Sequence, residues 1–326
     1  MVPPQSTPQF DIIKLRYFGE GKKYFVIVIV NWLLTIVTLG LYYPWARVAS
    51  LKYNYSQTEL LNSRFTFLGN GMELFKGFIK VLGIVGALVA VYFWGTLTQN
   101  FELILLGGVI FIVGFASIAP LAVHSAMRYR MSKTSWKGIQ FHYSGNLSEL
   151  YKIGIKYSLL YVVTLGIAAP WFYVSIKRYL TEHIHYGNLN FEYRAKGGDL
   201  FVLFLKGYLL TFFTCGIYGF WFYAELVRFN FDNTYLKKDN ATYLAFFKSN
   251  FDVGDSFRLF LYLIGTYFTL GLLYPWFAIE NTRTILENLD IYGYVDLDTI
   301  NNNIVNQTND ATGVDLLDAF DIGFTI

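Results

Sequence analysis

Four histidines and one cysteine are the side chains best suited to metal binding or nucleophilic chemistry, and their spacing supports neither. His183 and His185 straddle Ile184 with no cysteine or paired carboxylate nearby, so a metal ion would lack its remaining ligands. His124 ends an apolar run, where an interfacial hydrogen bond suits it, and Cys215 has no disulfide partner. Gly254-Asp255 falls short of a Gly-x-Gly-Asp proteolytic motif, and no Asp or Glu stands mid-run in an apolar stretch. His-Glu-x-x-His and Gly-x-Ser-x-Gly are both missing. Gly69-Asn70-Gly71 lacks the Gly-Lys-Ser/Thr ending of a phosphate loop and reads as a turn. These patterns lead us to expect no catalytic residue, no metal and no cofactor.

A different set of residues recurs in register. TLGLYYPW (38–45), TLGIAAPW (164–171), TCGIYGFW (214–221) and TLGLLYPW (269–276) are copies of one block. Pro120 marks a fainter copy, and Phe220 takes the proline position in the fourth. The repeated residues are Gly40, Gly166, Gly216 and Gly271, then the corners Pro44-Trp45, Pro120, Pro170-Trp171, Trp221 and Pro275-Trp276. Eight residues beyond each corner position stands a base: Lys52, Arg128, Arg178, Arg228 and Arg283. Basic residues number only 26 of 326, so five matches in five are not chance. Interfacial Lys and Arg snorkel to headgroups, and we read these five as structural anchors in contact with lipid phosphates.

The elements that carry these residues are apolar. Hydrophobic residues make up 54%, charged residues 15% and aromatics 20%, with a net charge of +3. Soluble domains carry about 25% charge. Disorder, a disulfide scaffold and a nucleic-acid partner are all disfavoured, and membrane lipids are the expected partners. Uncharged stretches lie between Lys23 and Arg47, over 81–98, over 103–123, and between Lys156 and Lys177, Lys206 and Glu225, and Arg258 and Glu280. Each approaches the roughly 20 residues a crossing helix needs, which predicts six spans. The intervals between corner positions are 76, 50, 50 and 55 residues, so the second copy is expected to carry an extra helix.

Alternation in Phe65-Thr66-Phe67, Phe141-His142-Tyr143 and Phe191-Glu192-Tyr193 predicts short strands between the helices. The resulting expectation is an all-α integral membrane protein of about six transmembrane helices from five repeats of roughly 50 residues, with short β-strands in the connections. The units fall at about 12–64, 65–140, 141–190, 191–246 and 247–290 of a 10–290 membrane domain. Residues 1–9 are expected to be unstructured and 291–326 to form an acidic tail. Single crossings would invert adjacent units. Counting bases per connection then favours both termini outside the cytoplasm, with re-entrant units as the rival arrangement.

The Gly-x-Gly-x-Glu-Leu-Phe turn at 69–75, the Thr-Leu-Gly-x-Tyr-x-Pro-Trp block and the basic-Tyr pair after it resemble the YjgN-like family of bacterial inner-membrane proteins. The resemblance runs over about 12–325, including Asp318-Ala319-Phe320-Asp321-Ile322-Gly323; Phe220 and the Trp-less second copy depart from it. It implies a multi-pass inner-membrane protein and no particular reaction. A non-catalytic structural or lipid-interacting role in the envelope is the expectation, with a passive channel or transporter as the alternative.

Overall fold

The computed structural model describes residues 12–238 and 242–293, the side chains at 115, 116, 242 and 243 aside. Five successive units each run strand, helix, helix, strand. The first is β1 (Ile12–Tyr17), α1 (Gly21–Val37), α2 (Tyr43–Gln57) and β2 (Thr58–Leu60). The second is β3 (Ser63–Phe67), α3 (Gly71–Leu97), α4 (Phe101–Lys133) and β4 (Thr134–Trp136). The third is β5 (Ile139–Tyr143), α5 (Leu147–Val163), α6 (Ala169–Glu182) and β6 (Ile184–Tyr186). The fourth is β7 (Leu189–Tyr193), α7 (Gly197–Phe213), α8 (Gly219–Asp232) and β8 (Thr234–Lys238). The fifth is β9 (Thr242–Ser249), α9 (Val253–Phe268), α10 (Tyr274–Glu287) and β10 (Leu289–Gly293).

The ten strands close into one antiparallel barrel in chain order, β10 pairing with β1. Closure leaves no free sheet edge. Two-residue turns with both residues left-handed, Leu61-Asn62 and Lys137-Gly138, join neighbouring units as tight hairpins. Period-two alternation sorts the side chains. All ten strands contribute to a single apolar cluster around Trp136, Tyr186, Leu236 and Ile291, with Ile13, Leu60, Phe65, Ile139, Phe141, Phe191 and Phe247 packed against it. Lys14, Arg16, Thr66, His142 and Lys248 alternate with these. The helices form a second closed ring beside the barrel: each packs on its chain neighbour, and α10 packs on α1.

This architecture overturns the all-α, six-span expectation. Among the described residues only α3 and α4 are long and apolar enough to cross a bilayer. The physical reason is visible in the first unit. The 23 uncharged residues after Lys23 were counted as one crossing, but Thr38-Leu39-Gly40 divides them, and the chain goes out along α1 and back along α2. The stretches after Lys156, Lys206 and Arg258 fold back in the same way. The second copy carries no extra helix; its two arms are longer, 27 and 33 residues against 17 and 15 in the first. Because every unit starts and ends at the barrel, adjacent units are not inverted, and all strand-bearing connections lie on one side. The expectations for residues 1–9 and for the tail beyond Gly293 lie outside the described residues, and the first three tail positions, 291–293, belong to β10.

Candidate functional site

Four of the five hairpins end in the same tip. Its threonine caps the outgoing helix with both hydrogen-bonding functions of the hydroxyl. Thr38 Oγ1 donates to Leu34 O (2.7 Å) and accepts from Tyr42 N (3.0 Å). Thr164, Thr214 and Thr269 repeat the pattern, accepting from Ala168 N, Tyr218 N and Leu273 N. The next two residues are both left-handed: Leu39, Leu165, Cys215 and Leu270 at φ 50–51°, then Gly40, Gly166, Gly216 and Gly271 at 91–95°. The glycine N–H reaches back to Thr35 O, Tyr161 O, Thr211 O or Thr266 O at 2.7–2.8 Å. Pro44, Pro170 and Pro275 then open the returning helix where no donor is needed. From Thr38 to Trp45 every backbone N–H is bonded within the tip.

The tips are apolar and bare. Leu39, Leu165 and Leu270 are 94, 93 and 92% exposed. Beside them Ile36, Val37, Val162, Val163, Phe212, Phe213 and Phe268 are also largely exposed. A leucine in the left-handed region costs about 1 kcal/mol, and in water its exposure would bring nothing in return. Ten such side chains moved from water to hydrocarbon are worth roughly 2 kcal/mol each. Orphan amides would cancel that gain at several kcal/mol apiece, but the tips have paired theirs.

The second hairpin turns differently. Pro120 lies inside α4 rather than at a corner, and the chain reverses at Thr98-Gln99, with Gln99 at φ 51°. Asn100 caps α4 through its side chain, and Glu102 stands in the first turn.

At the hairpin bases the repeated residues hold the ring together. Trp45 lies on Gly71 of the next unit, where a Cβ would fall 2.4 Å from its Cδ1, and packs tilted against Phe75 with ring centroids 4.9 Å apart. Trp171 covers Gly197 and Phe201 likewise, and Trp276 covers Gly21 and Phe25, closing the ring. Trp221 instead lies exposed against Tyr218. The repeated bases diverge. Arg178 donates to Tyr193 O and Ala195 O of the following unit, and Arg283 to Gly19 O and Glu280. Lys52 is exposed, Arg128 half-buried, and Arg228 lines a cleft between the fourth and fifth units.

Sequence reasoning gave no role to the aromatic residue after each base. Tyr179 Oη accepts from Asn146 N (2.5 Å) and donates to Asn146 O (2.7 Å), locking the N-cap of α5. Tyr53 does the same to Glu20, and Tyr129 donates to Asn70 O. The glycines under the tryptophans were also missed, although Gly71 and Gly197 each follow a Trp by 26 residues. In the unit where Leu121 replaces Trp, Leu147 replaces Gly at the same interval.

Ser144, His185 and Asn190 form the one arrangement that resembles a hydrolytic triad among the described residues. Ser144 Oγ is 2.6 Å from His185 Nε2, and His185 Nδ1 is 2.5 Å from Asn190 Oδ1. An amide offers no charge to stabilise an imidazolium, and the Ser144 N–H, one candidate oxyanion donor, is spent on His183 O. His142 stacks on His185 at 6.1 Å; burial first, then His185 and Arg128, hold its pKa below the usual histidine value. No group of three metal-ligating side chains occurs among the described residues.

The profile of a family described as "Bacterial protein of unknown function (DUF898)" matches residues 13–212. An inner membrane protein YjgN of Salmonella typhimurium is 34% identical over 129 residues, 40% of this chain and 31% of that protein. Its counterparts in Escherichia coli O157:H7 and K12 are 30% identical over 39% of the chain and 30% of their own length. The matched stretch thus spans under a third of these relatives. No solved structure gives a significant match. With the matched region covering more than half of its length, the chain belongs to the DUF898 family and is a bacterial inner-membrane protein.

Proposed function

We propose that the protein is a non-catalytic, lipid-seated scaffold of the inner membrane: its crown of hairpins is sunk into the cytoplasmic leaflet, with the barrel in the cytoplasm. The observation that carries this is the ring of apolar, left-handed tips whose amides are satisfied internally. A helix arm of 17 residues reaches about 25 Å, short of the ~30 Å hydrocarbon core. The arms α3 and α4, at about 40 and 50 Å, are long enough to cross.

The charges support the same depth. Lys206, paired with Glu225 at 2.9 Å, stands nine residues before Cys215, about 13 Å below the tip. That is close to the ~15 Å thickness of one leaflet's hydrocarbon. All 26 Lys and Arg residues lie outside the 81–127 stretch that forms the far part of the long hairpin. By the positive-inside rule this supports a barrel in the cytoplasm and a Gln99–Glu102 turn outside. The apolar packing of the barrel interior supports a scaffold over a water-filled conduit.

Cys215 is a native probe of this reading. A nitroxide attached there, with the full chain in liposomes, is expected to collide with oxygen far more than with a water-soluble nickel chelate. Strong nickel collisions would overturn the seating.

A further inference from the structure

The base of the fourth hairpin departs from the others. Phe229 stands where Tyr53, Tyr129 and Tyr179 clamp an N-cap, so no hydroxyl fills the space. A cleft of about 690 Å³ opens there between α7, α8 and the end of β9. Its walls carry Lys206, Arg228 and Lys248 against Glu225 and Asp232. Both acids are engaged by the protein: Glu225 holds Lys206, and Asp232 Oδ1 accepts from Ser249 N at 2.8 Å. Arg228 is the exception among the clasping arginines. Arg178 and Arg283 spend their guanidinium groups on carbonyls of the next unit, whereas Arg228, half-buried, has no such acceptor among the described residues.

We propose that this cleft binds the phosphate of an anionic phospholipid headgroup, with Arg228 as its principal ligand and Lys248 and Lys206 flanking it. The inference rests on the seating of the crown described above and extends it to one lipid class. A partly desolvated guanidinium with free donors favours a planar or tetrahedral oxyanion over water, and its fork matches two phosphate oxygens. The depth agrees independently. Arg228 lies nine residues along α8 from its first residue, Gly219, about 13 Å, close to the depth of Lys206 and to that of the headgroup phosphates of a leaflet whose hydrocarbon is ~15 Å thick. Leu203 and Phe229 give the cleft an apolar wall for the first acyl carbons, and Asn233 and Asn250 offer partners for headgroup hydroxyls. The net charge of +1 on its walls after pairing suits a monoanionic phosphodiester and disfavours a zwitterion.

The test is native mass spectrometry of the full chain in detergent, titrated with dioleoyl phosphatidylglycerol, with dioleoyl phosphatidylcholine and with inorganic phosphate. Wild type is expected to retain one phosphatidylglycerol in preference to phosphatidylcholine, undisturbed by excess phosphate. Arg228→Gln and, separately, the surface variant Lys248→Gln are each expected to weaken that binding about five- to tenfold while melting like wild type. The conservative Arg228→Lys should restore part of the affinity. Equal retention of both lipids, wild-type binding by both Gln variants, or displacement of the lipid by free phosphate would each overturn the proposal. The Cys215 depth measurement separates the two readings: a buried tip with unselective lipid binding defeats the headgroup site alone, whereas a water-exposed tip defeats the seating beneath it.

Discussion

Tyr179 shows what the repeated residues are for at the scale of single side chains. Its hydroxyl makes two hydrogen bonds to one capping residue, so Tyr179→Phe should lower stability by about 1–2 kcal/mol in a denaturant or thermal melt. A change under 0.3 kcal/mol (roughly the measurement scatter) would mean the clamp is ornamental. Lys177 gives a pH signature. Its ammonium donates to Asn230 Oδ1 at 2.8 Å and faces the rings of Tyr193 and Phe231, and burial pushes its pKa down to about 8. The unfolded chain keeps that proton up to the ordinary lysine value, so between these two pKa values the unfolded state binds more protons. Stability should therefore rise with pH from 8 to 9, by on the order of 1 kcal/mol, and the rise should vanish in Lys177→Met. Stopping at 9 limits the opposing contribution of the tyrosines: Tyr17, Tyr143 and Tyr193, raised mainly by burial, act with the opposite sign once unfolded tyrosines ionise. The basic-aromatic pair was legible as a repeat. Its use was not, because the partners of the clamp are brought together across 33 residues in units one and three and 59 in unit two.

At the scale of the element, the hairpin tip is the unit of design. Thr164→Val removes the acceptor for Ala168 N and leaves a donor unpaired in hydrocarbon. It should cost about 1–3 kcal/mol, read as a fall in melting temperature in lipid nanodiscs. The seam between hairpins makes a sharper prediction. Gly197→Leu drives a side chain into Trp171 and should destabilise strongly, and Trp171→Leu should rescue it, because Leu121 and Leu147 occupy the two corresponding sequence positions in another copy. Failure of the double variant to recover any stability would show that the seam is not the contact that matters. The Thr-x-Gly-x-x-x-Pro-Trp block was readable as a helix stop and restart. The reversal it produces was not, because an uncharged run of 23 residues satisfies the length of one crossing and of two half-length arms equally well. The paired strands were legible from aromatic-x-aromatic alternation at 65–67, 141–143 and 191–193, but barrel closure depends on long-range pairing such as Ile13 with Ile291 that no local pattern encodes.

For the whole molecule, the decisive difference between one crossing per unit and one hairpin per unit is the location of the unit boundaries. With hairpins, Asn62 and Asn188 both sit at the barrel end of the molecule, although an odd number of predicted crossings separates them. Gln99 lies at the turn of the long hairpin, the part that the proposed seating puts across the bilayer. Five repeats closing through Trp276 on Gly21 and β10 on β1 make a ring, and a ring whose ends all return to one face needs only one long hairpin to fix it across the bilayer. The most direct test is impermeant thiol labelling in intact cells of single-cysteine chains, Asn62→Cys, Asn188→Cys and Gln99→Cys, each with Cys215→Ala. Gln99→Cys is expected to label from outside, while Asn62→Cys and Asn188→Cys are expected to label only after the membrane is opened. Labelling of Asn188→Cys from outside with Asn62→Cys protected would restore alternating crossings and contradict the one-sided barrel.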